Sequence, residues 1–209
     1  LQVVFTPSWA NGGQPKNWAP TNPADFAAFV KAAARHYSRV HLWMIWGEPT
    51  RQSNFEPLTP ANPGATLDAQ QKVAPHKYAE LLDGAYGALK RVSRANVVIG
   101  GCTYSAGEID TRQWIENLRL PDGKPPRMDI YAHNPFGWRV PRLGGAPSRS
   151  GQVQFPDLRR LAHWIDSNLG RPRHVRKPIP IFISEWNEPT AAEQEFGWYL
   201  TPSKAAQYT

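Results

Sequence analysis

Residues Arg39–Thr50 read RVHLWMIWGEPT. From Val40 to Trp46 the residues are almost all large and apolar. The run breaks at Gly47, and Pro49 follows. Such a run, bounded by glycine and proline, reads as a buried β-strand. It would deliver Glu48 just past its C-terminal end. About 140 residues later, Pro178–Thr190 read PIPIFISEWNEPT. There Ile181–Ser184 reads as a second strand, with Glu185 directly after it. Trp-x-Glu-Pro therefore occurs twice, at Trp46–Pro49 and Trp186–Pro189. The spacing on the two strands decides which glutamates can meet.

Between and around these stretches, strand-like and helix-like segments alternate. Val3–Thr6 is a short apolar run closed by Pro7. Asn22 and Pro23 are a helix N-cap and first helical residue. They open a segment in which Phe26, Phe29, Val30, Ala33 and Tyr37 recur at helical spacing. After Val40–Trp46 comes a helix over His76–Val92, with Tyr78, Leu81, Leu82, Ala85, Leu89 and Val92 on one face. NVVIGG at Asn96–Gly101 predicts a strand with a glycine stop. Asp110–Leu118 is a shorter helix and Met128–His133 a strand. Pro156–Gly170 is a helix opened by proline and closed by glycine, and Ile181–Ser184 is the last strand. Strands alternating with helices imply right-handed βαβ units and a parallel sheet. A doubly wound sheet would carry a glycine-rich phosphate turn, which Gly12–Pro15 (GGQP) does not supply. A (β/α)8 barrel instead gathers chemistry at the C-terminal ends of several strands. Trp9, Glu48, Tyr104, His133 and Glu185 all fall at or just past such ends.

Composition restricts the function classes. The 209 residues are 41% hydrophobic and 20% charged, enough apolar side chain for one sizeable core. The net charge of +7 is concentrated in stretches such as Arg171–Lys177 (RPRHVRK). No basic run is interleaved with aromatics, so nucleic acid is not the expected partner. Cys102 is the single cysteine, which rules out an intrachain disulfide and a cysteine-cluster metal site. The histidines show no ligand spacing, so neither a catalytic metal nor another cofactor is expected. No apolar stretch approaches membrane-span length.

Two carboxylates at the ends of two parallel strands can face one cavity, the minimum equipment for glycoside hydrolysis. At these residues the chain resembles the clan A glycoside hydrolases. WMIWGEPT is similar to the acid/base motif at the end of their fourth strand, usually Trp-Asn-Glu-Pro. IFISEW resembles the nucleophile segment of the seventh strand, and MDIYAHNPF the sixth-strand segment. FTPSWA resembles the third strand of bacterial members near glycoside hydrolase family 39. The resemblance runs through nearly the whole chain in the right order.

It implies a retaining hydrolase with Glu48 as acid/base and Glu185 as nucleophile. It also implies a carbohydrate substrate held by Trp9, Trp46, Tyr104, His133 and Trp186. Arg51 and Asn54 sit where a substrate loop belongs. Glu188 lies out in the loop. Were WNEPT the acid/base motif, only about twenty residues would remain for three more strands and a nucleophile. Where the family usually has an asparagine that bonds the sugar 2-hydroxyl, this chain has Gly47, which keeps open the alternative of a non-catalytic carbohydrate-binding barrel. An aldolase-type barrel lacks its strand-end lysine. The alignment makes the five strands the third to the seventh, so residues 1–209 are expected to be a partial barrel. Its sheet edges at Val3–Thr6 and Ile181–Ser184 would be open and association-prone. An extracellular or cell-envelope location fits such an enzyme.

Overall fold

The computed structural model describes residues 1–137, 148, 151–170, 178–186, 189–191 and 199–206. Five strands form one parallel sheet: β1 (Gln2–Val3), β2 (Leu42–Ile45), β3 (Val97–Tyr104), β4 (Ile130–Asn134) and β5 (Ile181–Ile183). Their spatial order is their chain order. The intervening helices are α1 (Pro23–His36), α2 (Val73–Val92), α3 (Thr111–Asn117) and α4 (Leu158–Leu169). A short α5 (Pro202–Ala205) follows β5. A doubly wound sheet reverses its strand order at a switch point; this sheet never does. Each crossover moves one place in the same direction, as in a barrel. The fold is a partial TIM barrel of five consecutive strands, and β1 and β5 are its edges among the described residues.

Most of the core lies between the sheet and its helices. Alternation along β2 sends Trp43 and Ile45 outward, both fully buried. They join Tyr78, Leu82, Val98, Trp114, Tyr131 and Leu161 in one cluster. The other face carries a small cluster of Ile99, Cys102 and Ala132, flanked by Met44, Val97 and Ile130. This is the barrel interior. Leu42 and Phe182 lie on strands but remain 56% and 43% exposed, because among the described residues no strand covers them from across the barrel.

The helices start as their caps predict. The Asn22 side chain accepts from the Ala24 N–H at 3.0 Å. Asp110 and Gln113 form a reciprocal capping box on α3. On α1 the buried stripe is Phe26, Val30 and Ala34, not the full set predicted. Phe29 is 59% exposed, because at 3.6 residues per turn it points about 100° away from the centre of that stripe. Tyr37 is the C-cap, outside the helix proper, and is 50% exposed. The glycine stop after NVVIGG is also corrected. Gly101 (φ 81°) and Cys102 (φ 48°) form a bulge at which the β3–β4 register shifts, and the strand continues to Tyr104. One extra residue turns Cys102 into the interior without ending the pairing.

Candidate active site

Glu48 follows β2 through a backbone held in an unusual conformation. Trp46 and Glu48 have φ of 69° and 46°, a region that costs non-glycine residues about 1–3 kcal/mol each. The surroundings fix both. Trp46 is fully buried, its indole N–H donates to the Asn54 carbonyl at 2.8 Å, and its ring packs against Phe5, Phe26 and Phe55. Trp46 is thus a core anchor that aims Glu48, not a sugar platform.

The Glu48 carboxylate is 13% exposed and is held from both sides. Oε1 accepts from Asn134 Nδ2 at 2.8 Å. Oε2 accepts from Asn54 Nδ2 at 3.3 Å and from Arg51 Nη1 at 3.5 Å. Burial pushes its pKa above the ordinary value. The Asn134 hydrogen bond and the Arg51 charge oppose that rise, and the Glu185 charge adds to it. Glu185, just after β5, is exposed. Asn134 Nδ2 lies 3.5 Å from its Oε2, so one amide nitrogen reaches both carboxylates.

The orientation of that amide is set from behind. Ser184 Oγ donates to Asn134 Oδ1 at 2.5 Å. With its single proton spent there, Ser184 can only accept from the Cys102 thiol, 3.6 Å away. A chain of donors therefore runs from Cys102 through Ser184 and Asn134 to the two glutamates. Glu48, Glu185, Asn134, Ser184, Asn54 and Cys102 line one cleft of about 520 Å³.

His133 is not part of it. Ile130, Ala132 and Asn134 share the inward parity of β4, so His133 points outward. It is fully buried, with Nδ1 2.8 Å from Thr103 Oγ1 and Nε2 3.1 Å from the Val153 carbonyl. Both ring nitrogens have protein partners, and burial lowers the pKa to about 4. His133 is a satisfied core histidine. Its neighbour Asn134 is the residue in the cleft, although in sequence a strand-end histidine carries a stronger chemical signal than an amide.

The aromatic candidates separate. Tyr104 is 5% exposed and reaches the site through Arg51, whose guanidinium sits 4.7 Å above its ring. Trp9 is 75% exposed and lines a small apolar pocket with Phe5, Phe26 and Phe29, beside the cleft rather than in it. Trp186 packs edge-on to Phe155 at 5.2 Å. Trp138, Asn187 and Glu188 lie outside the described residues.

No protein-family model and no curated protein sequence matches the chain. Solved structures do. A GH39 β-xylosidase from Caulobacter crescentus matches with a TM-score of 0.51 and 17% identity, over 91% of this chain and 34% of that one. The fold is that of the clan A glycoside hydrolases. A glucosidase from Croceicoccus marinus matches with a TM-score of 0.52 and 16% identity, over 86% of this chain and 33% of that one. A GH5-4 broad-specificity endoglucanase from an uncultured bacterium gives 0.51 and 15%, over 90% and 50%. The chain thus spans a third to a half of the length of these clan A structures. Among the described residues, no helix is long and apolar enough to cross a membrane.

Proposed function

We propose that this chain carries the carboxylate pair of a retaining glycoside hydrolase. Glu48, protonated, donates to the glycosidic oxygen as Glu185 attacks the anomeric carbon. The C–O bond to the leaving group breaks and a glycosyl ester forms on Glu185. Glu48, now a carboxylate, takes a proton from water, and the oxygen of that water displaces Glu185. The carrying observation is the Asn134 amide between the two carboxylates, at 2.8 and 3.5 Å. The two oxygens it touches cannot be further apart than those distances laid end to end. Such closeness favours the narrow spacing of a retaining pair over the wider one at which an inverting site seats a water between its carboxyls.

The division of labour is supported by the contrast in environment. A buried carboxyl with a raised pKa suits the proton donor. An exposed one at the strand end can reach a substrate carbon. The test is hydrolysis of a panel of aryl glycosides, with NMR assignment of the first anomer released. Net retention is expected, as is loss of turnover in Glu185→Ala with recovery as a glycosyl azide when azide is added. Release of the inverted anomer would refute the mechanism. Oligosaccharide binding without turnover would point instead to a non-catalytic carbohydrate-binding barrel.

A further inference from the structure

Asn134 is the last residue of β4, and Ser184 follows β5 directly. The β4–β5 register pairs His133 with Ile183. Asn134 and Ser184 are therefore the next cross-strand neighbours, and their side chains share the inward face. Asn134 is 2% exposed, and its amide is used at both ends: Oδ1 on Ser184, Nδ2 on Glu48 and Glu185. A side-chain amide has two orientations, related by exchange of its oxygen and nitrogen. The 2.5 Å separation from Ser184 Oγ selects one of them. That length suits an O–H···O bond and is too short for an N–H···O bond. Ser184 thus holds the carbonyl oxygen back and turns the nitrogen forward to the carboxylates.

The consequence falls on the two oxygens of Glu48, which are not equivalent. Oε1 accepts from Asn134 Nδ2 at 2.8 Å. Oε2 meets Asn54 Nδ2 at 3.3 Å and Arg51 Nη1 at 3.5 Å. A carboxyl oxygen that takes a proton surrenders most of its accepting strength. Oε1 has a short bond to lose and Oε2 only two long ones, so the proton sits more favourably on Oε2. With the amide reversed, Asn134 Oδ1 would face both glutamates. It would accept from a protonated Oε1 and repel the ionised carboxylate.

We propose that Ser184 is a positioning residue that selects the reacting atom of Glu48: by locking Asn134 with its nitrogen forward, it keeps Oε1 an acceptor and leaves Oε2 to carry the proton. This rests on the glycosidase reading of the site. As the Oε2–H bond breaks toward the glycosidic oxygen, its electron pair stays on the carboxylate, and the Asn134 bond to Oε1 becomes charge-assisted. The lock therefore helps Glu48 release its proton. It acts on kcat rather than KM, and most strongly where the leaving group needs that proton.

The full 209-residue chain, Ser184→Ala and Ser184→Thr are compared in two measurements. The first is hydrolysis of phenyl β-D-xylopyranoside, whose leaving group needs a proton, and of its dinitrophenyl counterpart, whose leaving group does not. Ser184→Ala is expected to lose about tenfold in kcat on the phenyl substrate, with little change on the other and none in KM. Its alkaline limb should move to higher pH, because the Asn134 bond is one of the contacts that hold the Glu48 pKa down. Ser184→Thr keeps the hydroxyl and should match the unaltered chain.

The second measurement needs no turnover. The Glu48 carboxyl carbon, identified by its loss in Glu48→Gln, is titrated by NMR together with the Asn134 side-chain N–H pair. In the unaltered chain both should respond at one midpoint. One N–H should stay hydrogen-bonded on either side of it, as an Oε1 that never takes the proton requires. The Glu48 midpoint should rise in Ser184→Ala and stay in place in Ser184→Thr. The other ionisable groups facing Glu48 are Arg51 in its own loop, Glu185 after β5 and the Cys102 thiol of β3, and all three chains share them.

A raised midpoint in Ser184→Ala without cleavage of any glycoside rejects the hydrolase reading and keeps the assignment of Ser184. Retaining hydrolysis with an equal loss on both leaving groups, or with an unmoved midpoint, overturns the assignment and keeps the hydrolase reading. An Asn134 N–H pair that ignores the Glu48 titration in the unaltered chain overturns the assignment even where the variants do not fold.

Discussion

Glu48 concentrates the electrostatic consequences of the site. Its carboxyl holds a proton to higher pH than a free glutamate, because burial outweighs the Asn134 and Arg51 contacts. In the proposed mechanism the alkaline limb of the pH–rate profile reports its ionisation. That limb should vanish in Glu48→Gln, assayed with a substrate whose leaving group needs no proton, and an unchanged bell would reject the role. The same shift has a stability sign. A raised carboxyl pKa means the folded chain binds more protons than the unfolded one, so stability falls as pH rises from the unfolded value toward the folded one. Glu48→Gln should therefore melt higher than the unaltered chain at pH 7, and the difference should close below about pH 4.

His133 behaves in the opposite sense. Its pKa is lowered to about 4 by burial, so between the ordinary histidine value and about 4 the unfolded chain takes up a proton that the folded chain refuses. Stability is lost as pH falls through that window, by up to about 3 kcal/mol. His133→Gln should flatten the urea-midpoint profile between pH 6.5 and 4, whatever it costs at pH 7. An unchanged slope would mean that His133 is not buried neutral.

At the scale of elements, the bulge in β3 decides what the cleft contains. It brings Cys102 inward to support Ser184, which orients Asn134. Gly101 makes it possible with a φ of 81°, and a Cβ there would meet the buried Tyr131 ring at 2.8 Å. Gly101→Ala should cost about 2 kcal/mol or more, from the backbone conformation and the clash together, read as a lowered urea midpoint. Nothing in NVVIGG announced this. The glycine pair reads equally as a stop or a bulge, and only pairing with β4 separates the two. The helices were more legible, because caps and 3.6-residue periodicity are local. Asn22 and the Asp110–Gln113 pair start α1 and α3 as their chemistry predicts.

At the scale of the whole molecule, the open sheet leaves apolar interior side chains in water. Leu42 and Phe182 are more than a third exposed, and the outer edges of β1 and β5 carry unpaired backbone groups among the described residues. Such edges promote pairing between chains. Sedimentation should show association growing with concentration, and Leu42→Lys/Phe182→Lys should reduce it. A monodisperse monomer at high concentration, unaffected by the substitutions, would contradict this.

The strand–helix alternation, the placement of Glu48 and Glu185 after two parallel strands, and the fold those motifs resemble can all be read from the amino-acid order. Each of these is written in local patterns of period two or 3.6 and in short strand-end segments. The tertiary structure decided the rest. Strand parity put Asn134 in the cleft and His133 behind the sheet, since a one-residue step exchanges faces. Packing made Trp46 a core residue, and the approach of β1 to β2 filled the space at Gly47 with Gln2. These outcomes depend on residues far apart in the chain meeting in space, which no single stretch of sequence records.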